Sequence, residues 1–190
     1  MAYFSEEELY MLGFKDCGEN VKISTRASIY GADKISIGNN VRIDDFCIVS
    51  AGDGISIGSY VHIAVYSSLI GKGKIELGDF SGLSARVSVY SSSDNYSGKF
   101  MTNPMVPDEY TGVHHSSVKL GRHVIVGTGS VILPGSILEE GVAVGALSLV
   151  KGRCREFGIY SGTPAKRISE RKKNLLDLER RFMSSIKEKL

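Results

Sequence analysis

Residues 120–150, LGRHVIVGTGSVILPGSILEEGVAVGALSLV, decide the fold, because Leu120, Val126, Ile132, Leu138, Val144 and Val150 fall six residues apart. An α-helix repeats every 3.6 residues and a strand every two, so neither gives this period. It is the mark of a solenoid, in which each hexapeptide is one flat side of a coil and stacked coils bury one another's apolar row. Upstream the motif recurs with a coarser step, Ile37-Gly38, Ile57-Gly58 and Leu77-Gly78 being twenty residues apart. Twenty is three hexapeptides plus two residues. The additions fall in the corners GAD (31–33), AGDG (51–54) and GKGK (71–74), where glycine permits a turn at positive φ.

The hexapeptides contain a second regularity. If position one points inward, position five does too, and near a crowded corner it must be small. The pairs Ile37/Val41, Ile43/Cys47, Ile57/Val61, Ile63/Ser67, Leu77/Ser81, Leu83/Val87, Leu120/Val124, Val126/Ser130, Ile132/Ser136, Leu138/Val142 and Val144/Ser148 carry only Val, Ser or Cys at the fifth place. A sandwich of alternating strands has no reason for that restriction. The expected fold is therefore an all-β solenoid, a parallel β-helix with three short strands per coil, and the period leaves its hand open.

Three segments flank or interrupt the repeat. Ser5 and Glu8 have capping-box spacing before Leu9, Met11 and Leu12, which predicts a short helix over 5–12 inside an N-terminal cap of residues 1–20. The β-helix is expected over 21–163. Residues 164–190 form a tail, with an amphipathic helix predicted from about Ile168 to Lys187 and a solvated charged face. Residues 90–117 break the period for 28 residues, with Pro104 and Pro107 opposing regular pairing. Loops of that length in a compact domain usually carry function.

Composition removes several classes of function. The chain has 190 residues, 42% of them hydrophobic, and a net charge of +2, which gives no global attraction to nucleic acid or a membrane surface. The charge is uneven, since residues 151–173 hold eight Lys or Arg against Glu156 and Glu170, a balance that suits an anionic ligand or a solvated surface. Cys17, Cys47 and Cys154 are odd in number and lack a CxxC pair, so a cytoplasmic protein without a disulfide framework is expected. The acidic start and the absence of a long apolar run predict no targeting segment and no membrane insertion.

A hexapeptide solenoid has a dry interior, so chemistry must use outward side chains. His62 is position six of the Ile57 hexapeptide and Asp94 is position six of 89–94, at the mouth of the long loop. Imidazole is the usual general base near neutral pH, and a carboxylate on its other nitrogen holds its tautomer, so His62 and Asp94 form a candidate catalytic pair. The plain alternative is a surface histidine and a loop-capping aspartate. His114 and His115 are adjacent, point to opposite sides of an extended chain and share no ligand spacing with His62, so no metal is expected. His123 reads as surface decoration, and His115 as a substrate contact.

The strict repeats from Leu120, the motif IYSGTPAKRI (159–168) and the charged tail resemble the hexapeptide-repeat, acetyl-coenzyme A dependent sugar O- and N-acetyltransferases over roughly residues 20–170. That resemblance implies a left-handed coil, a homotrimer and acetyl transfer to a hydroxyl or amino group of a sugar or nucleotide sugar, in surface polysaccharide or O-antigen synthesis. It also implies coenzyme A contacts at Thr128, Ala146, Lys151 and Lys166. Where the O-acetyltransferases have a catalytic histidine this chain has Asp94, and their asparagine one coil earlier matches Ala64, with His62 two residues before it on the same face. Asn95, Tyr96, Asn103 and His115 are the expected sugar contacts. Other readings are acetylation of a small amino acid or antibiotic, a non-catalytic assembly subunit, and a zinc-dependent carbonic anhydrase.

Overall fold

The structure, a computed structural model, describes residues 2–187 and is a left-handed parallel β-helix. Its three faces are parallel sheets. The first runs through strands Asp16–Cys17, Ile35–Ile37, Ile55–Ile57, Ile75–Leu77, Val118–Leu120, Ile137–Leu138 and Arg153–Cys154. The second contains Lys22–Ile23, Arg42–Ile43, His62–Ile63, Gly82–Leu83, Ile125–Val126, Ala143–Val144 and Gly158–Gly162, and the third runs from Ser28–Tyr30 to Leu149–Val150. Register is in phase with the repeat: Ile37 lies beside Ile57, Ile57 beside Leu77, and Leu77 beside Leu120 across the excised loop.

The core is built from positions one and five, joined by Ile35, Ile55, Ile75 and Val118, each two residues before a position one on the first face. Ile43, Ile63, Ile132 and Leu138 are fully buried, and Cys47, Ser67, Ser81, Ser130, Ser136 and Ser148 are buried with them. Each fully buried Ile or Leu contributes about 1.5–3 kcal/mol by transfer from water. Several of the buried serines bond the next coil: Ser67 donates to the Ser84 carbonyl at 3.0 Å and Ser130 to the Gly145 carbonyl at 3.0 Å, whereas Ser81 Oγ has no hydrogen-bond partner among the described residues. Small fifth positions thus fill the corner, and these bonded hydroxyls tie consecutive coils together.

Glycine at positive φ turns the third-to-first corner through Gly31, Gly54 and Gly71, and it turns the other two corners in single coils through Gly129 and Gly141. In other coils those two corners place bulky residues in the left-handed region, which costs a non-glycine residue roughly 1–3 kcal/mol. Asn20, Asn40, Tyr60, Phe80 and His123 form one such row, and Phe46, Tyr66 and Arg86 belong to the other. Stacking offsets the strain. Tyr60 and Phe80 lie 4.8 Å apart, Phe80 and His123 5.1 Å, and Phe46 and Tyr66 5.0 Å, with Arg26 and Arg86 over the outer rings of the last pair.

The ends are capped differently. The N-terminal helix is Glu6–Met11 with Ser5 as N-cap in a complete capping box, and Leu9 closes the core. At the other end the segment expected to become helical near Ile168 is first a strand, Ala165–Glu170, antiparallel to Gly158–Gly162, and the helix is Asn174–Lys187. The physical reason is an open sheet edge: the last coil strand needs a partner, and the turn at Gly162 to Ala165 folds one back. The helix then packs against the Tyr60/Phe80/His123 row. His123 is accordingly no decoration, since its side chain is 10% exposed and its Nε2 lies 2.6 Å from Glu179. No helix among the described residues is long and apolar enough to cross a membrane.

Candidate active site

The long loop leaves the solenoid on a two-stranded ribbon in which Ser92 pairs with His115 and Ser93 with His114. Alternation along the strands sends His115 to one side and His114 to the other. On the His115 side a cleft of about 500 Å³ is lined by Lys72, Asp94, Asn103, Asp108 and Thr111. On the His114 side a cleft of about 590 Å³ is lined by Asp94, Asn95, Tyr96, Leu133, Pro134 and Lys151. Asp94 borders both. The four expected sugar contacts thus gather around Asp94, with Asn103 and His115 on one side and Asn95 and Tyr96 on the other.

His62 is elsewhere. It projects from the second face into a shallow groove of about 280 Å³ with Ala64, Gly82, Ser84, Ala85 and Ile125. Its Nε2 lies 2.8 Å from Oδ2 of Asp44, whose Oδ1 accepts from Arg42 Nε at 2.7 Å. The expected His62–Asp94 contact is therefore not formed within the chain; the carboxylate on the imidazole is Asp44. Burial of Asp44 opposes its ionisation, but the hydrogen bonds from Arg42 and His62 outweigh it and hold its carboxyl below the usual range. The twenty-residue step carried the signal for this partner: Asp44 stacks one coil below Ala64, which shares a face with His62.

The expected coenzyme contacts separate as well. Thr128 and Ala146 sit on adjacent coils at the second-to-third corner, where Leu147 N–H donates to the Thr128 carbonyl at 2.8 Å. Gly127 lets these coils approach, since a Cβ there would be 2.5 Å from the Ala146 nitrogen. Lys166 lies on the closing strand opposite Ser161. Lys151, by contrast, follows the third face and joins Asp94, Asn95 and Tyr96 in the loop cleft. Sequence reasoning also passed over Ser84, Lys72 and Ser92. Ser84 was legible only as an outward small residue one coil above Ala64.

These features lie on the outer faces rather than in a pocket in the core: a shallow groove holding a carboxylate-held imidazole, and two loop clefts that share one carboxylate, Asp94. The chain belongs to the hexapeptide-repeat sugar acyltransferase family. It is an enzyme. The chain is 59% identical to dTDP-4-amino-4,6-dideoxy-D-glucose acyltransferase of Escherichia coli, over 97% of each chain. Solved structures of AntD, an N-acyltransferase from Bacillus cereus, are similar throughout. An S84C variant in complex with dTDP-4-amino-4,6-dideoxyglucose and coenzyme A has 45% identity and a TM-score of 0.94, covering 97% of this chain and 98% of that one. AntD with dTDP and 3-hydroxybutyryl-CoA has 46% identity and a TM-score of 0.95, covering 98% and 100%. Other AntD structures carry substitutions of its Asp94. No family model matches the chain.

Proposed function

We propose that the enzyme transfers an acyl group, acetyl by default, from acyl-coenzyme A to the 4-amino group of dTDP-4-amino-4,6-dideoxyglucose. Asp94 carries this reading. It is the one residue common to both loop clefts, and AntD, which binds that aminosugar together with coenzyme A, has been studied with its Asp94 substituted. A carboxylate at that place suits an amino acceptor, which arrives as an ammonium ion. Lys72 and Lys151 flank it with the cations a nucleoside diphosphate needs.

Starting from the ammonium the reaction loses two protons. The first leaves to give the free amine, which forms a C–N bond at the thioester carbonyl. The C–S bond breaks and the coenzyme leaves as thiolate, and the second proton leaves the nitrogen as the amide forms. His62 takes that second proton through Nδ1, because Nε2 is held by Asp44. Thr128 and Ala146 support the pantetheine arm, Lys166 attracts the coenzyme phosphates, and Asn95, Tyr96, Asn103 and His115 hold the acceptor. Ser84 lines the groove of His62, and AntD has been solved with its Ser84 replaced. In one chain the Ser84 groove opens on the second face and Asp94 beyond the third. A site using both is completed between copies, which supports the expected homotrimer. Acyl-coenzyme A and nucleotide sugars are cytoplasmic compounds, and the acylated sugar suits a later glycosyl transfer in surface polysaccharide synthesis.

The test is coenzyme A release with dTDP-4-amino-4,6-dideoxyglucose against its 4-hydroxy counterpart, and with acetyl-CoA against 3-hydroxybutyryl-CoA. Turnover of the amine alone is expected, and equal turnover of the hydroxyl sugar sinks the N-acyl reading. His62→Ala is expected to lose about 10²-fold or more in kcat. Full turnover in that variant removes His62 from the role of base. Light scattering at three times the chain mass checks the trimer.

A further inference from the structure

Ser92 stands at the root of the loop ribbon and makes two hydrogen bonds. Its Oγ accepts from the backbone N–H of Lys72 at 2.8 Å and lies 2.7 Å from His115 Nδ1. The first bond uses a lone pair on Oγ and leaves the hydroxyl proton to be placed. Among the described residues, the acceptor within reach of that proton is His115 Nδ1. A hydroxyl that donates to Nδ1 requires that nitrogen to be bare, so a neutral imidazole carries its proton on Nε2.

We propose that Ser92 is a positioning residue that locks His115 as an Nε2–H donor facing the acceptor cleft. The inference rests on the reading of that cleft given under Proposed function. It separates the two histidines beside the chemistry by the nitrogen each presents: His62 offers a bare Nδ1, fit to take a proton, and His115 offers an N–H, fit to bind an oxygen of the nucleotide sugar. The geometry has few free parameters. Ser92 is paired with His115 in register across the ribbon, and Lys72 is anchored one coil below by the same hydroxyl. The charged groups facing His115 in the cleft are the Lys72 ammonium and the Asp94 and Asp108 carboxylates. A diphosphate or sugar oxygen bridging Lys72 and His115 Nε2–H would use both donors at once.

The experiment is ¹⁵N NMR of the histidine side chains in the full-length enzyme, read for the neutral form, combined with KM for both substrates. In the wild type His115 is expected as the Nε2–H tautomer. Ser92→Ala is expected to mix the tautomers and raise KM for dTDP-4-amino-4,6-dideoxyglucose about five- to tenfold, the size of one lost hydrogen bond. KM for acyl-CoA should stay within about twofold. Ser92→Thr, which keeps a hydroxyl, is expected to restore both readouts, and a thermal shift with coenzyme A verifies that Ser92→Ala is folded. A wild-type His115 protonated on Nδ1, or a Ser92→Ala enzyme with unchanged tautomer and KM, overturns the proposal. A changed tautomer with both KM values unchanged shows that the lock exists but that the cleft is not the acceptor site, which removes the donor role together with the reading it rests on.

Discussion

His62 Nε2 and Asp44 Oδ2 lie 2.8 Å apart, and the carboxylate that makes this contact has a side chain only 5% exposed. The pair couples an outward imidazole to a buried charge that Arg42 also holds. Removing the charge in Asp44→Asn should cost about 1.5–3 kcal/mol of stability at pH 7, the worth of charge-assisted hydrogen bonds. The pH dependence has a definite sign. Because the folded carboxyl titrates below its ordinary value of 3.8, its contribution is present above that value and is lost as pH falls through the folded one. Urea midpoints of wild type and Asp44→Asn should therefore differ at pH 7 and converge below about pH 4. A constant gap down to pH 2 would contradict the assignment.

Lys151 separates two assignments of the same cation. The family resemblance gives it to coenzyme A, whereas the structure seats it in the cleft with Asp94, Asn95 and Tyr96. Lys151→Ala should therefore raise KM for the nucleotide sugar by about tenfold or more and leave KM for acyl-CoA nearly unchanged. Initial rates with each substrate varied in turn decide the matter. A rise in the acyl-CoA value alone would return Lys151 to the coenzyme.

The solenoid was legible because its signal is repeated: eleven hexapeptides each test the inward positions one and five, and all eleven fifth positions are buried. Chemistry is not repeated, so the site was read less evenly. Asp94 stood out as a candidate because it ends the last regular hexapeptide before the loop. Its expected pairing with His62 does not form within the chain, because a face-to-face argument along one strand says nothing about which carboxylate lies one coil below. Asp44 could have been reached by the twenty-residue step. Ser92 could not, because its role depends on how the loop returns, and the proline-bearing stretch 101–113 has no period to fix its register. The helix start was misplaced for a related reason. Ile168 fits an amphipathic helix locally, but the unpaired edge of the last coil claims residues 165–170 as a strand.

Gly127 tests how closely the coils must approach at the expected coenzyme groove. A Cβ there would meet the Ala146 nitrogen at 2.5 Å and the Gly145 carbonyl carbon at 2.8 Å, both backbone atoms that cannot swing away. Gly127→Ala should destabilise by about 1–3 kcal/mol through overpacking and reduce the thermal shift produced by coenzyme A. Gly82→Ala is the contrast, since its Cβ would find Ile125 Cδ1 at an ordinary 3.4 Å. Equal stability losses in the two variants would show that contact with the next coil is not what selects glycine at 127.

Glu179 decides whether the C-terminal helix is a solvated tail or part of the solenoid. Its carboxylate bridges Arg122 and His123, and three residues on, Phe182 meets Tyr60 edge-on at 5.3 Å and 79°. Both contacts fall on the stacked row at the first-to-second corner, so the helix covers aromatic surface that would otherwise face water. Glu179→Ala leaves a nearly buried imidazole without its partner and should cost about 1–2 kcal/mol. Because both contacts fix the same helix, Phe182→Ala and Glu179→Ala should be non-additive, the double variant losing less than the sum once either change frees the segment. Hydrogen exchange reads this directly: amides of 174–187 should lose protection in each variant while the coil strands keep theirs. Unchanged exchange over the helix in Glu179→Ala would mean that the carboxylate does not anchor it.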